Sequence, residues 1–230
     1  ALYRYGVDYR KMAAAGIDAM VVETCAASLA LDPRSSTRDP VRSYDMYSML
    51  GMIRAYVPDM KLVYLQTTGD IVEQWDAIRH CPLILEREVF NVNNVYFAQG
   101  GDAPERAVNG ALACLGDGMS ATEWRMLNRW SDLALEASPR RILGAALVCS
   151  DAAVHNQIDD FTQSRTWDVH RVLYRLLERG APVQSFARAD ALDGVAGPLL
   201  VIHPHLLDAA ERRRLAAWNG GGMVLIGPEL

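Results

Sequence analysis

Apolar positions along this chain switch repeatedly between a helical and an extended rhythm. Asp8 stands at an N-cap position, and the segment through Met12 to Gly16 predicts a short helix followed at once by the β-rich run Ile17–Glu23. Asp39 precedes Pro40 at a first helical position, and Val41, Tyr44, Tyr47, Leu50 and Ile53 recur at helical spacing until Pro58. A second strand is expected over Lys61–Gln66. Gly69-Asp70, with Glu73 three residues beyond Asp70, predicts a capped helix to about Arg79, and Pro82 then introduces a strand over Leu83–Phe90. After a loop from Asn91 to Gly101, Asp102-Ala-Pro-Glu105 opens a helix with Ala107, Ala111, Leu112 and Leu115 on one side, closing near Gly116-Asp-Gly118. Ser120-Ala-Thr-Glu123 is a capping box for a helix in which Trp124, Leu127, Ser131 and Leu135 share a face, with Trp130 close to it. Strands alternating with helices at this spacing indicate a parallel sheet or barrel and disfavour an antiparallel sandwich.

A domain boundary is expected near Pro139, dividing the chain into residues 1–138 and 139–230. The second part opens with the apolar strand Ile142–Cys149 and a polar loop over Ser150–Arg165. A well-punctuated helix over Thr166–Arg179 carries Val169, Val172, Leu173, Leu176 and Leu177 and stops at Gly180 with Pro182 beyond. Strands over Val183–Ala187 and Leu199–His203, a helix capped by Asp208 and Glu211, and a strand over Met223–Ile226 complete a flavodoxin-type βαβ pattern.

The composition is that of a globular protein: 230 residues, 50% apolar and 22% charged. A formal charge of −5 offers no general attraction to nucleic acid or to an anionic membrane. No run of 18 apolar residues exists, so no membrane span is expected. Cys25, Cys81, Cys114 and Cys149 are far apart, with no CxxC pair and no histidine at ligand spacing; they read as thiols in a reducing, cytoplasmic compartment, with no structural metal. His203-Pro-His205 lacks a third ligand, and neither Gly116-Asp-Gly118 nor Gly220-Gly-Gly222 has the context of a phosphate loop. Cys149 lacks the glycine-flanked elbow of a nucleophile, so amidotransferase chemistry is not expected of it, and no cofactor is indicated. The start Ala1-Leu-Tyr-Arg-Tyr5 reads as the interior of a longer chain.

Four stretches carry a resemblance: Leu147-Val-Cys-Ser-Asp151, the run from Val172 to Val183, Leu199-Leu-Val-Ile-His-Pro204, and the run from Leu215 to Val224. Together they resemble the glutamine-amidotransferase-like trimerisation domain of β-galactosidase-type glycoside hydrolases, and residues 1–138 look like the last three β/α units of the (β/α)8 barrel that precedes that domain. The resemblance implies α/β architecture, with a partial barrel followed by a truncated flavodoxin-like domain. It also implies a homotrimer and retaining hydrolysis of β-linked sugars by two carboxyl groups, with no cofactor.

Glycoside hydrolysis sets two carboxyl groups about the scissile bond, and in a (β/α)8 barrel the site lies at the carboxyl ends of the strands. Glu23 ends an apolar strand and is a catalytic candidate, a structural ion pair being the alternative. A strand over Leu83–Phe90 would place Glu86 and Glu88 on one side with Arg87 opposite; two adjacent acids can raise one pKa, or be neutralised by Arg87 or Arg106. Gln66, at the end of the middle strand, and the amides Asn91, Asn93 and Asn94 beside Tyr96 and Phe97 are candidate sugar-binding groups, although the asparagines also suit plain loop structure. Asp70 and Glu123 read as helix caps, and Trp75, Trp124 and Trp130 as core before sugar platforms. A non-catalytic carbohydrate-binding or assembly protein on the same scaffold, and an unrelated α/β protein, remain as alternative functions.

Overall fold

The computed structural model describes residues 8–23, 43–71, 75–98, 103–136 and 139–227 of the chain. It is mixed α/β, with two largely parallel sheets and helices packed on them. The expected cap at Asp39-Pro40, Cys25 and Glu73 lie outside the described residues.

The first sheet is built from β1 (Ala19–Glu23), β2 (Lys61–Asp70) and β6 (Gly110–Leu115), all parallel, with β2 in the middle; the two-residue β3 (Trp75–Asp76) runs antiparallel to the end of β2. Helix α1 (Tyr9–Ala14) is capped by Asp8, whose carboxylate accepts from the Arg10 and Lys11 amides. Helix α2 (Ser43–Tyr56) joins β1 to β2. Leu50, Ile53 and Tyr56 of α2 pack on Val22, Leu62 and Tyr64, the side chains that alternate onto one face of the sheet.

Several sequence expectations are corrected between β2 and β6. Gly69 and Asp70 belong to the strand, and the next helix, α3 (Ala77–His80), is capped by Asp76, which accepts from the Arg79 amide. Residues 83–90 are not a strand: Pro82 sits at the first position of helix α4 (Pro82–Asn93), whose buried residues Leu85, Glu88, Val89, Val92 and Asn93 follow helical spacing. Asn91–Asn93 form the last turn of that helix instead of a loop. The expected helix from Asp102 to Leu115 is replaced by β5 (Glu105–Arg106) and β6, because Gly110–Leu115 pairs along β2 from Val63 to Gly69. Helix α5 (Ala121–Leu135) carries the expected capping box of Ser120 and Glu123. It buries Leu127 and Trp130 against Leu85 and Val89 of α4, while Trp124 is 38% exposed.

The second sheet has the order β10-β9-β7-β8-β4-β5, where β4 is Tyr96–Ala98, β7 Ala145–Cys149, β8 Val183–Arg188, β9 Leu199–Ile202 and β10 Met223–Ile226. All pairs are parallel except β4 with β5. The last four strands in sequence thus adopt the flavodoxin-type order 2-1-3-4. Strands β4 and β5 come from before Pro139, so strand pairing runs across the expected boundary.

Residues 150–165 are not a loop: Ser150 accepts from the Ala153 amide and starts helix α6 (Asp151–Ser164). Helix α7 (Val169–Glu178) packs Leu173 and Leu177 on one face of the sheet, with Leu147, Phe186 and Leu200. Helix α8 (Ala209–Ala217) places Leu215 on the other face with Val148, Leu199 and Val201, so the sheet is covered on both sides. Helix α2 also touches this sheet: a Cβ added at Gly51 would lie 2.0 Å from the Phe186 ring, so only glycine allows that approach.

Candidate functional site

Strand register divides the first sheet into two unlike faces. Val22 and Tyr64 point to the helices, while Val21, Glu23, Val63, Leu65 and Leu112 share the opposite face. On that opposite face Val21 is 55% and Leu112 52% exposed, and no described helix covers it. Parallel sheets are normally buried on both sides, so an open apolar face here is unusual. Glu23 is the last residue of β1, beside Leu65 of β2, and it is exposed at the carboxyl edge of this open face.

The other sequence-derived candidates divide into two groups. Gln66, Glu88 and Asn93 come together, but on the helix-covered side. Glu88 is fully buried and accepts from the Thr67 amide at 3.4 Å, and Asn93 donates to the Tyr64 hydroxyl at 3.3 Å and to the Val89 carbonyl at 2.9 Å. Burial, and then the nearby Glu88 charge, push the Tyr64 phenol well above its ordinary value. The Gln66 side-chain nitrogen is buried with no hydrogen-bond partner among the described residues. This polar layer braces the carboxyl half of β2 and is closed to solvent.

Glu86, Asn91 and Asn94 are not part of the layer. On a helix, residues two apart diverge by about 200°, which separates half-exposed Glu86 from Glu88 and undoes the expected acid pair. Asn94 donates to the Phe90 carbonyl and accepts from the Tyr96 hydroxyl, and Arg106 donates to that same hydroxyl at 2.9 Å.

A feature that sequence reasoning missed lies at the second sheet. A cavity of about 330 Å³ opens at the carboxyl ends of β7 and β9, where the strand order reverses, and α2 and Tyr9 of α1 cover it. Its walls are largely apolar, with Ser150, Asp151, Asp168 and His170 among its polar groups. Asp151 is shared by Arg10 and Arg188, the latter at 3.4 Å. His170 Nδ1 meets the buried Ser48 hydroxyl in a short contact. Burial and the nearby Asp151 carboxylate push the Cys149 thiol up to about 12, so it is protonated and a poor nucleophile at neutral pH. The signal for this site was available: Ser150 and Asp151 directly follow an apolar strand, as an N-cap and a first-turn acid do.

A smaller cavity of about 210 Å³ lies among Asp70, Asp76, Arg79 and Asp117. It is an ion-pair site: Arg79 pairs with Asp76 at 3.0 Å and with Glu123 at 2.5 Å, and it donates to the Gly118 carbonyl at 2.8 Å. Those contacts and the Ser120 amide lower the Glu123 carboxyl to about 2, the Arg79 hydrogen bonds being the largest cause. Among the described residues no group of three or more His, Cys, Asp or Glu side chains could hold a metal, and no helix is long and apolar enough to cross a membrane.

No family model, no curated protein and no solved structure matches the chain.

Proposed function

We propose that this chain belongs to a β-galactosidase-like glycoside hydrolase acting on β-linked sugars with retention. In this reading residues 1–138 supply part of the wall of a (β/α)8 barrel through β1, β2 and β6, and residues 139–230 form a glutamine-amidotransferase-like domain whose sheet β4 and β5 extend. The open apolar face of β1, β2 and β6 carries the reading. A barrel turns its helices outward and fills its interior with the apolar side chains of the inner strand faces, which is the division that Val21, Val63, Leu65 and Leu112 make against Leu62 and Tyr64.

On that inner face Glu23 occupies the carboxyl end of a strand, where barrel enzymes hold their acids. It supplies one of the two carboxyl groups, and the second comes from another part of the barrel wall. Glu88 takes no part in the chemistry: it fixes the Thr67 amide and hence the end of β2. A homotrimer, by family resemblance, and a reducing compartment, by the widely spaced cysteines, complete the proposal. The buried state of Glu88 also favours a second reading, a carbohydrate-binding scaffold that keeps the sugar site without turnover.

The test is hydrolysis of aryl β-glycosides by the native polypeptide, with Glu23→Ala assayed in the presence and absence of azide. Loss of turnover, restored by azide with formation of a glycosyl azide, supports the role given to Glu23. Hydrolysis that is unchanged in Glu23→Ala refutes that role, and sugar binding without any hydrolysis selects the second reading.

A further inference from the structure

We propose that the cavity at the carboxyl ends of β7 and β9 is a binding site for a small, largely apolar amine. Open α/β sheets place ligands in the crevice where the strand order reverses, and this cavity lies in that crevice. It is independent of the carbohydrate reading, which concerns the first sheet.

The lining sets the chemistry of the ligand. Met49, Met52 and Ile53 of α2, with Val148, Ile202 and Leu207, give the cavity an apolar body. Methionine pairs adapt to compact hydrocarbon or aromatic groups. Two carboxylates face the same space, and they differ in their partners. Asp151 is already neutralised by Arg10 and Arg188. Asp168 is not: one of its oxygens accepts from the Arg171 amide at 2.7 Å, and among the described residues no cation pairs with it. The neighbouring guanidinium of Arg171 lies instead over the Trp167 ring, at 5.2 Å from its centre. A half-buried carboxylate with a spare oxygen in the lining of an apolar cavity favours a cationic donor.

An anion fits poorly. Three of the first-turn amides that a phosphate would use at the starts of α6 and α7 are taken, the Ala153 amide by Ser150, the Val169 amide by Gln157 and the Arg171 amide by Asp168, and the Asp151 and Asp168 carboxylates stand at the same two helix starts to repel an anion. The remaining titratable groups that face the cavity are His170, held by Ser48, the protonated Cys149 thiol, and the hydroxyls of Tyr9 and Tyr56. None of them supplies a fixed positive charge like that of an arginine.

The probes are benzylamine, its neutral analogue benzyl alcohol, and benzoate, titrated at neutral pH by calorimetry and ligand-observed NMR. Benzylamine binds saturably, the alcohol about tenfold or more weakly, and benzoate not at all. Asp168→Asn retains the helix cap, because asparagine caps as well as aspartate, and it brings benzylamine down to the affinity of the alcohol. Ile158→Trp, at a half-exposed position lining the cavity, weakens both ligands while leaving the circular dichroism spectrum unchanged. Absence of saturable amine binding, equal binding of benzoate, or amine affinity untouched by Asp168→Asn would each overturn the proposal. None of these outcomes depends on whether the protein cleaves glycosides.

Discussion

Replacing Leu83 and Leu85 separately by alanine distinguishes the two possible structures of residues 82–93. In a strand these leucines would share a face and lose similar burial. In helix α4 they do not: Leu83 is 78% exposed, whereas Leu85 is 0% exposed and packs among Val89, Leu127 and Trp130. Truncating a fully buried leucine removes its transfer free energy and leaves a cavity, a loss of about 2–5 kcal/mol. Truncating an exposed one changes stability by about 0.5 kcal/mol or less in either direction. Urea titration of both variants reads the difference directly, with the slope unchanged and only the midpoint moved. At roughly 2–4 °C per kcal/mol for a chain of this size, Leu85→Ala also melts visibly earlier. Equal destabilisation by the two substitutions would refute the helix, and with it the separation of Glu86 from Glu88.

Three further outcomes are expected. Gly51→Ala drives a methyl group into the Phe186 ring, costing about 1–3 kcal/mol in urea melts, and Phe186→Leu in the same chain restores part of the loss; an innocuous Gly51→Ala would contradict the packing of α2 on β8. The folded Glu123 carboxyl is lowered from 4.5 to about 2, so its contribution to stability is present above pH 4.5 and is lost as the pH falls toward 2. The difference in urea midpoint between wild type and Glu123→Gln therefore shrinks over that interval, and a constant difference would count against the Arg79 pairing. Iodoacetamide at pH 8 labels Cys149 and Cys81 far more slowly in the folded protein than after unfolding, because burial raises these thiols to about 12 and about 11; peptide mass mapping showing equal rates would oppose it.

The legible parts of the fold were those in which pattern and punctuation agree. Val169, Leu173 and Leu177, with Asp168 before them and Gly180 after, leave little choice but an amphipathic helix, and the capping boxes at Ser120 and Asp208 are both present. Helix α4 is hard to read because two of its core positions are polar: Glu88 and Asn93 break the apolar stripe, and Leu83-Ile-Leu85 directly after Pro82 then looks like the start of an apolar strand. Helix α6 buries only Ala153, so no stripe exists to read and Ser150 is its main signal. Ala107, Ala111 and Leu115 have helical spacing, yet Gly110–Leu115 is a strand because β2 offers it a partner, a tertiary effect outside any local window. Of the candidate site, Glu23 lies at a strand end as expected, and it is exposed there. The buried layer of Gln66, Glu88 and Asn93, and the cavity at β7, depend on packing between distant segments.

Turnover of an aryl β-glycoside by the native polypeptide, compared with Glu23→Gln, tests the central claim most directly. The account predicts measurable hydrolysis that falls by about a hundredfold to ten-thousandfold in kcat, with the variant still binding sugar. Full activity in Glu23→Gln, or neither hydrolysis nor sugar binding by the native polypeptide, would contradict it.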